Sequence, residues 1–144
     1  MRMQFDKNGN LEGDKEISLD ELRSSFGYNE KRELLVNNFI GTAERFKKIG
    51  CETIYIFGSF TTSKEEPNDI DICADISDVD EKAFSHFDLA DMYELARVKK
   101  YLSVHILYKL YDDRIFTFLK RDREGNTRGI IKISLKEMTG YDKE

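Results

Sequence analysis

The chain has 144 residues and a formal net charge of -5, with 40% hydrophobic and 35% charged residues. That length suits one compact domain with a real core, and the acidic balance argues against a broad nucleic-acid backbone contact as its main business. No window has the apolar length a bilayer requires, and the start, Met1-Arg2-Met3-Gln4-Phe5-Asp6, lacks the apolar stretch of a signal peptide, so a soluble, cytoplasmic protein without membrane contact is expected.

Residues 1–17 carry Gly9, Gly13 and several charges and read as an extended lead-in. Ser18-Leu19-Asp20-Glu21 is a capping box, in which the hydroxyl and the Glu21 carboxylate satisfy free N–H groups at a helix start. That helix runs through Phe26 and ends at Gly27. Asn29 caps a second helix, in which Leu35, Phe39, Ala43 and Phe46 recur at helical spacing until Gly50. Thr53 to Phe57 is a β-branched and aromatic run of strand length that halts at Gly58-Ser59. A polar stretch through Pro67, with room for one helical turn, leads to an alternating segment. There Asp69, Asp71, Cys73 and Asp75 share one face, and Ile70, Ile72 and Ala74 the other.

An acidic loop over Asp75 to Glu81 and a helix around Asp88 to Val98 come next, then a third strand over Tyr101 to Tyr108. Asp112 or Asp113 is expected to cap a helix reaching Lys120, Gly125-Asn126 marks a turn, and Gly129 to Leu135 is a last strand. Phe116 and Phe118 read as core residues. Cys51 and Cys73 have no C-x-x-C partner, so they read as small buried thiols. The pattern is α/β or α+β in one domain over 1–144.

The informative segment is Phe57-Gly58-Ser59, nine further residues, and Asp69-Ile70-Asp71-Ile72. A triphosphate at a strand end must approach the backbone, where a side chain at Gly58 would block it. Ser59 adds a hydroxyl donor and, as a helix cap, would aim N–H groups at phosphates. Asp69 and Asp71 leave the same strand face about 7 Å apart at their Cα atoms, a pair able to hold Mg²⁺ or Mn²⁺ among carboxylate, water and phosphate oxygens. Lys64 is a candidate phosphate partner, against the reading of a solvated loop lysine. Arg121, Arg123 and Arg128 flank the Gly125-Asn126 turn within reach of a nucleic-acid acceptor, an idea that Asp122 and Glu124 weaken.

In these residues the chain resembles the polymerase-β-type nucleotidyltransferase superfamily, whose pattern is an apolar residue, Gly, Gly or Ser, a gap of about ten, then Asp-apolar-Asp or Glu. Ser18-Leu19-Asp20-Glu21-Leu22, Pro67-Asn68-Asp69-Ile70-Asp71 and Arg128-Gly129-Ile130-Ile131 extend the likeness to short nucleotidyltransferase-like proteins of bacteria and phages. The resemblance implies a mixed central sheet with flanking helices and a nucleoside triphosphate bound through Mg²⁺ or Mn²⁺. Asp69 and Asp71 would be the metal ligands, and Gly58, Ser59 and Lys64 would face the nucleotide. It also implies a helical protein partner, a second copy or an RNA acceptor, as in toxin–antitoxin or phage-defence pairs.

One departure divides the reading. The superfamily carries a third carboxylate on a later strand, and the segment Tyr101 to Tyr108 holds none. Its polar residues are Ser103 and His105. His105 is either a general base, since its unperturbed pKa lies near neutrality, or a hydrogen-bonded histidine of a half-buried strand. Two functions follow: a nucleotidyltransferase with His105 beside Asp69 and Asp71, or a weakened fold that binds nucleotide without efficient turnover.

Overall fold

The computed structural model describes residues 3–138. Of the domain expected over 1–144, residues 1, 2 and 139–144 lie outside the described residues. Five strands form one mixed sheet: β1 (Lys15–Glu16), β2 (Thr53–Phe57), β3 (Ile70–Asp75), β4 (Val104–Lys109) and β5 (Ile131–Ser134). Their order is β1-β5-β2-β3-β4, with β2 antiparallel to both neighbours and the pairs β3–β4 and β1–β5 parallel. Five α-helices accompany it: α1 (Leu19–Phe26), α2 (Glu30–Lys48), α3 (Glu81–Ser85), α4 (Met92–Leu102) and α5 (Ile115–Leu119). The expected α/β class with a mixed central sheet is therefore the one observed. Among the described residues, no helix is long and apolar enough to cross a membrane.

Strand alternation divides the interior into two parts. Ile54 and Ile56 of β2, Ile70, Ile72 and Ala74 of β3, Val104 and Ile106 of β4, and Ile131 and Ile133 of β5 join one cluster with Leu22, Phe26, Leu35, Phe39, Ala43 and Phe46 of α1 and α2. The opposite sheet face carries a smaller cluster of Phe57, Cys73, Leu119 and Ile130, flanked by Tyr55, Leu107 and Phe116. Because Asp71 lies between Ile70 and Ile72, the period of two places it on this less covered face. Both cysteines are buried and free.

The helix starts follow the sequence. Ser18 Oγ accepts from the Glu21 N–H at 3.1 Å, while Glu21 Oε1 accepts from the Ser18 N–H at 3.3 Å. Asn29 Oδ1 accepts from the Arg32 N–H at 2.8 Å. The 1–17 lead-in departs from expectation. Asp6 Oδ1 accepts from the N–H groups of Asn8 and Asn10, folding a turn that sets Phe5 opposite Leu11 and buries Asn10 and Leu11 before β1 begins.

Three further boundaries are corrected. The strand expected from Tyr101 starts only at Val104, because Tyr101 and Leu102 complete the last turn of α4 and Ser103 closes it in the left-handed region (φ 58°). The helix expected at Asp88 starts at Met92, where Asp91 accepts from the Glu94 N–H at 3.1 Å. Neither Asp112 nor Asp113 caps α5 with its side chain: the N-cap is Arg114, and Asp112 instead accepts from the Arg114 N–H and Nε. Phe116 is half-buried as a core residue, but Phe118 is exposed, since α5 is too short to bury both.

Arg32, on the first turn of α2, is fully buried. Its guanidinium donates to four backbone carbonyls: Phe26 (3.2 Å), Phe60 (2.9 Å), Thr62 (2.7 Å) and Lys64 (2.6 and 3.1 Å). The rings of Tyr28 and Phe60 lie 5.0 and 4.9 Å from it. Burial lowers its pKa from the ordinary arginine value, and the neighbouring Tyr28 and Glu65 oppose that shift. Arg32→Met would strand these carbonyls, each costing about 1–3 kcal/mol when buried without a donor. A loss of about 3 kcal/mol or more in urea denaturation is expected. Arg32→Lys should recover less than half of it, because one ammonium cannot fork to four carbonyls.

Candidate functional site

β2 ends at Phe57, which pairs across the ladder with Asp71. Gly58 then adopts φ 78° and starts a single 3-10 turn over Gly58–Thr61. The sequence reading assigned Gly58 to phosphate approach; the structure shows a nearer cause. A Cβ at Gly58 would overlap Asp71 Oδ2 and stand 3.1 Å from its Cγ. Glycine here serves both the positive φ and the acid wedged against it. Ser59 lies inside the turn, so it is not the cap the sequence suggested; Phe57 holds that position without a side-chain bond. The Ser59 carbonyl accepts from the Thr62 N–H and hydroxyl, and Thr61 Oγ1 donates to the Gly58 carbonyl at 2.9 Å. Arg32 holds the same segment from beneath through the carbonyls of Phe60, Thr62 and Lys64.

Asp69 stands one residue before β3 and Asp71 on it. His105 on β4 is the in-register partner of Asp71, and its Nδ1 lies 3.3 Å from Asp71 Oδ1. The Asp71 carboxyl is pushed above the ordinary carboxylate value by burial and then by the charge of Asp69, with His105 and Lys99 pulling the other way. Ser103, one of the two polar residues of the segment expected as a strand, lies before β4 and does not share a strand with His105. It caps α4, and its carbonyl accepts from the Ile70 N–H at 2.9 Å, which fixes the start of β3 beside Asp69. Asp75 is apart from this pair: it bonds Ser77 and lies 3.6 Å from Lys109 Nζ.

These groups open onto a cleft of about 960 Å³ that also includes Lys64 and Lys99. Its far wall is the 122–128 turn joined to Asn10, a pairing the sequence reading missed. Asn10, 2% exposed, donates from Nδ2 to Asp122 Oδ2 at 2.9 Å and accepts at Oδ1 from Arg128 Nε at 3.2 Å. Asp122 also accepts from the N–H groups of Glu124 and Asn126, closing the turn in which Gly125 has φ 83°. The Ser63 N–H donates to the Gly9 carbonyl at 2.9 Å, tying this wall to the Gly58 turn. Of the three arginines singled out from sequence, Arg123 and Arg128 line the cleft, while Arg121 Nη1 donates to the Gly125 carbonyl.

At the start of β3 the carboxylates of Asp69 and Asp71 stand with the His105 imidazole beside Asp71. Among the described residues, no group of three or more His, Cys, Asp and Glu side chains forms a ready metal-binding cluster.

Fold and cleft define an α/β protein whose mixed sheet presents an acid pair next to a glycine turn. The chain belongs to the family of unknown function DUF6932, whose model matches residues 3–134. Comparisons with curated proteins and with solved structures returned no match.

Two measurements test the local chemistry. Hydrogen bonds from Asn10, Asn126 and the turn N–H groups hold the Asp122 carboxyl down to about 2. A depressed folded-state pKa adds stability above the unfolded value and loses it as pH falls through the folded one. Asp122→Ala should therefore lower Tm at neutral pH, and its deficit should shrink between about pH 4 and pH 2. At the turn, Gly58→Ala should destabilise by about 1–2 kcal/mol through positive φ and contact with Asp71. In a double-mutant cycle with Asp71→Gly, part of that loss should disappear, because the second change removes the carboxylate the new Cβ meets.

Proposed function

We propose that this chain is a divalent-cation-dependent nucleotidyltransferase, which transfers a nucleoside monophosphate from a triphosphate to a hydroxyl on a protein or RNA and releases pyrophosphate. What supports this most is the wedge of Asp71 against Gly58, with Asp69 alongside, at the mouth of a cleft flanked by Lys64 and Lys99. Gly58 and Ser59 present the turn to the phosphates, and the lysines offset their charge. Asp69 and Asp71 suit Mg²⁺ or Mn²⁺ in donor chemistry, and burial first, then the charge of Asp69, raises the pKa of Asp71, a cost to its charged form that a cation would relieve. The cation, when bound, neutralises charge on the phosphates and on the leaving pyrophosphate. The bond that forms joins the acceptor oxygen to the α-phosphorus; the bond that breaks joins that phosphorus to the bridging oxygen. His105, 3.3 Å from Asp71 through Nδ1, is the candidate to receive the acceptor proton. A helical partner protein, a second copy or a nucleic acid completes the site, in the manner of a toxin–antitoxin or phage-defence pair, and the acceptor hydroxyl lies on a protein or an RNA.

A second reading, a nucleotide-binding module with weakened turnover, is favoured by one observation. His105 stands directly across from Asp71, on the strand where the resemblance calls for a third carboxylate. Incubation with radiolabelled ATP, CTP, GTP and UTP plus Mg²⁺ and candidate acceptors separates the two, since only the enzyme transfers label.

The Asp69→Ala/Asp71→Ala variant should lose Mg²⁺-dependent nucleotide binding in calorimetry while its fold persists; unchanged, metal-independent binding would sink the proposal. If general-base help is what the wild type lacks, His105→Asp should raise single-turnover transfer, such help being typically worth about 10²–10⁴ in rate. If His105 is already the base, His105→Ala should slow transfer and His105→Asp restore it only in part.

A further inference from the structure

Resting on the triphosphate reading above, we infer that the cleft recognises its ligand as a polyphosphate and does not read the nucleobase. Reading a base takes a ring to stack on or fixed hydrogen-bonding groups matched to one edge. Among the described residues that line the cleft, none is Phe, Tyr or Trp, and none is aliphatic apart from the Thr62 methyl. The one aromatic side chain, His105, is engaged through Nδ1 with Asp71.

Two of the four asparagines that line the cleft are already committed. Asn10 uses its Nδ2 on Asp122 and its Oδ1 on Arg128, and Asn126 Nδ2 donates to Asp122 at 3.2 Å. Freeing either of them to meet a base would break the wall they build, and Asn8 and Asn68 have no side-chain hydrogen bond among the described residues to fix them as readers of one edge.

What the cleft offers instead is unpaired positive charge. Lys64, Lys99 and Arg123 have no salt bridge among the described residues, and Arg128 has only its Nε bond to Asn10. In a chain of net charge -5, these cations come from the turn loop, α4 and the 121–128 segment, and they converge on one space. Of the four acids in the lining, Asp122 is occupied by its own turn and Asp69 and Asp71 are the cation's ligands in the parent reading, which leaves Glu124 against the four cations. A chain of phosphates, with its negative charge spread along its length, is the ligand that matches.

The test is isothermal titration with ATP, GTP, CTP, UTP and inorganic tripolyphosphate in the presence of Mg²⁺, repeated on Arg123→Ala and Lys99→Ala. The expected result is affinities for all five within about tenfold of one another, competition of tripolyphosphate with ATP, and a similar weakening of all five in each variant. A preference beyond about tenfold for one nucleotide, a tripolyphosphate that fails to displace ATP, or variants that weaken one nucleotide alone would overturn the inference while leaving the triphosphate site standing. Binding of none of the five would remove the triphosphate reading itself, and this inference with it.

Discussion

The arrangement depends first on one buried cation. Arg32 lies on the opening turn of α2 with no carboxylate among the described residues bonded to it, and its nitrogens end on carbonyls of Phe26, Phe60, Thr62 and Lys64. A guanidinium suits this place because it stays charged under burial and its planar fork reaches several acceptors at once. The carbonyls it serves belong to an irregular loop that could not otherwise satisfy them away from water. α1, α2 and the segment after Gly58 are thereby held as one body, and the acid-bearing β3 packs against that body through Ile70 and Ile72.

Much of this was legible in the sequence because short-range chemistry announced it. The capping box at Ser18 and Glu21, the Asn29 cap and the five-residue run Thr53–Phe57 each depend on neighbours within a few positions, and each was found where expected. Gly58 and the Asp69–Asp71 spacing were visible as a pattern, although the reason for the glycine was not: its partner, the Asp71 carboxylate, is a contact between strands. Arg32 looked like any charge on the solvated side of a helix, and no local signal separates it from Lys31 or Arg45. Asn10 and Asp122 are 112 positions apart and carried no pattern at all. Tyr101 and Leu102 were misassigned because an apolar and aromatic pair at a helix end is equally at home in a strand; the left-handed Ser103, which decides the boundary, is not a glycine and gave no warning.

The face of the sheet chosen by alternation also shapes the chemistry. Asp71, Cys73 and Asp75 all leave β3 on the thinly covered side, yet their surroundings differ. Cys73 is sealed by Phe57, Leu119 and Ile130, and burial pushes its thiol up to about 12. Asp75 is neutralised by Lys109 and Ser77. Only Asp71 meets open space with an acidic neighbour and a histidine, so one strand supplies a thiol kept inert, a structural ion pair and a reactive-site candidate within five residues.

The Asn10–Asp122–Arg128 clasp has a consequence for the order of assembly. Contacts closed over more than a hundred residues carry the largest loop-closure penalty and form late. During synthesis the early turn at Asp6 to Asn10 must wait for residues 122 to 128 to leave the ribosome before its partners exist. The sheet centred on β2 and β3 is by then available as a template, so the cleft matures late, together with the pairing of β1 with β5. A nascent or truncated chain ending before residue 122 would hold the acid pair with one side of its cleft missing.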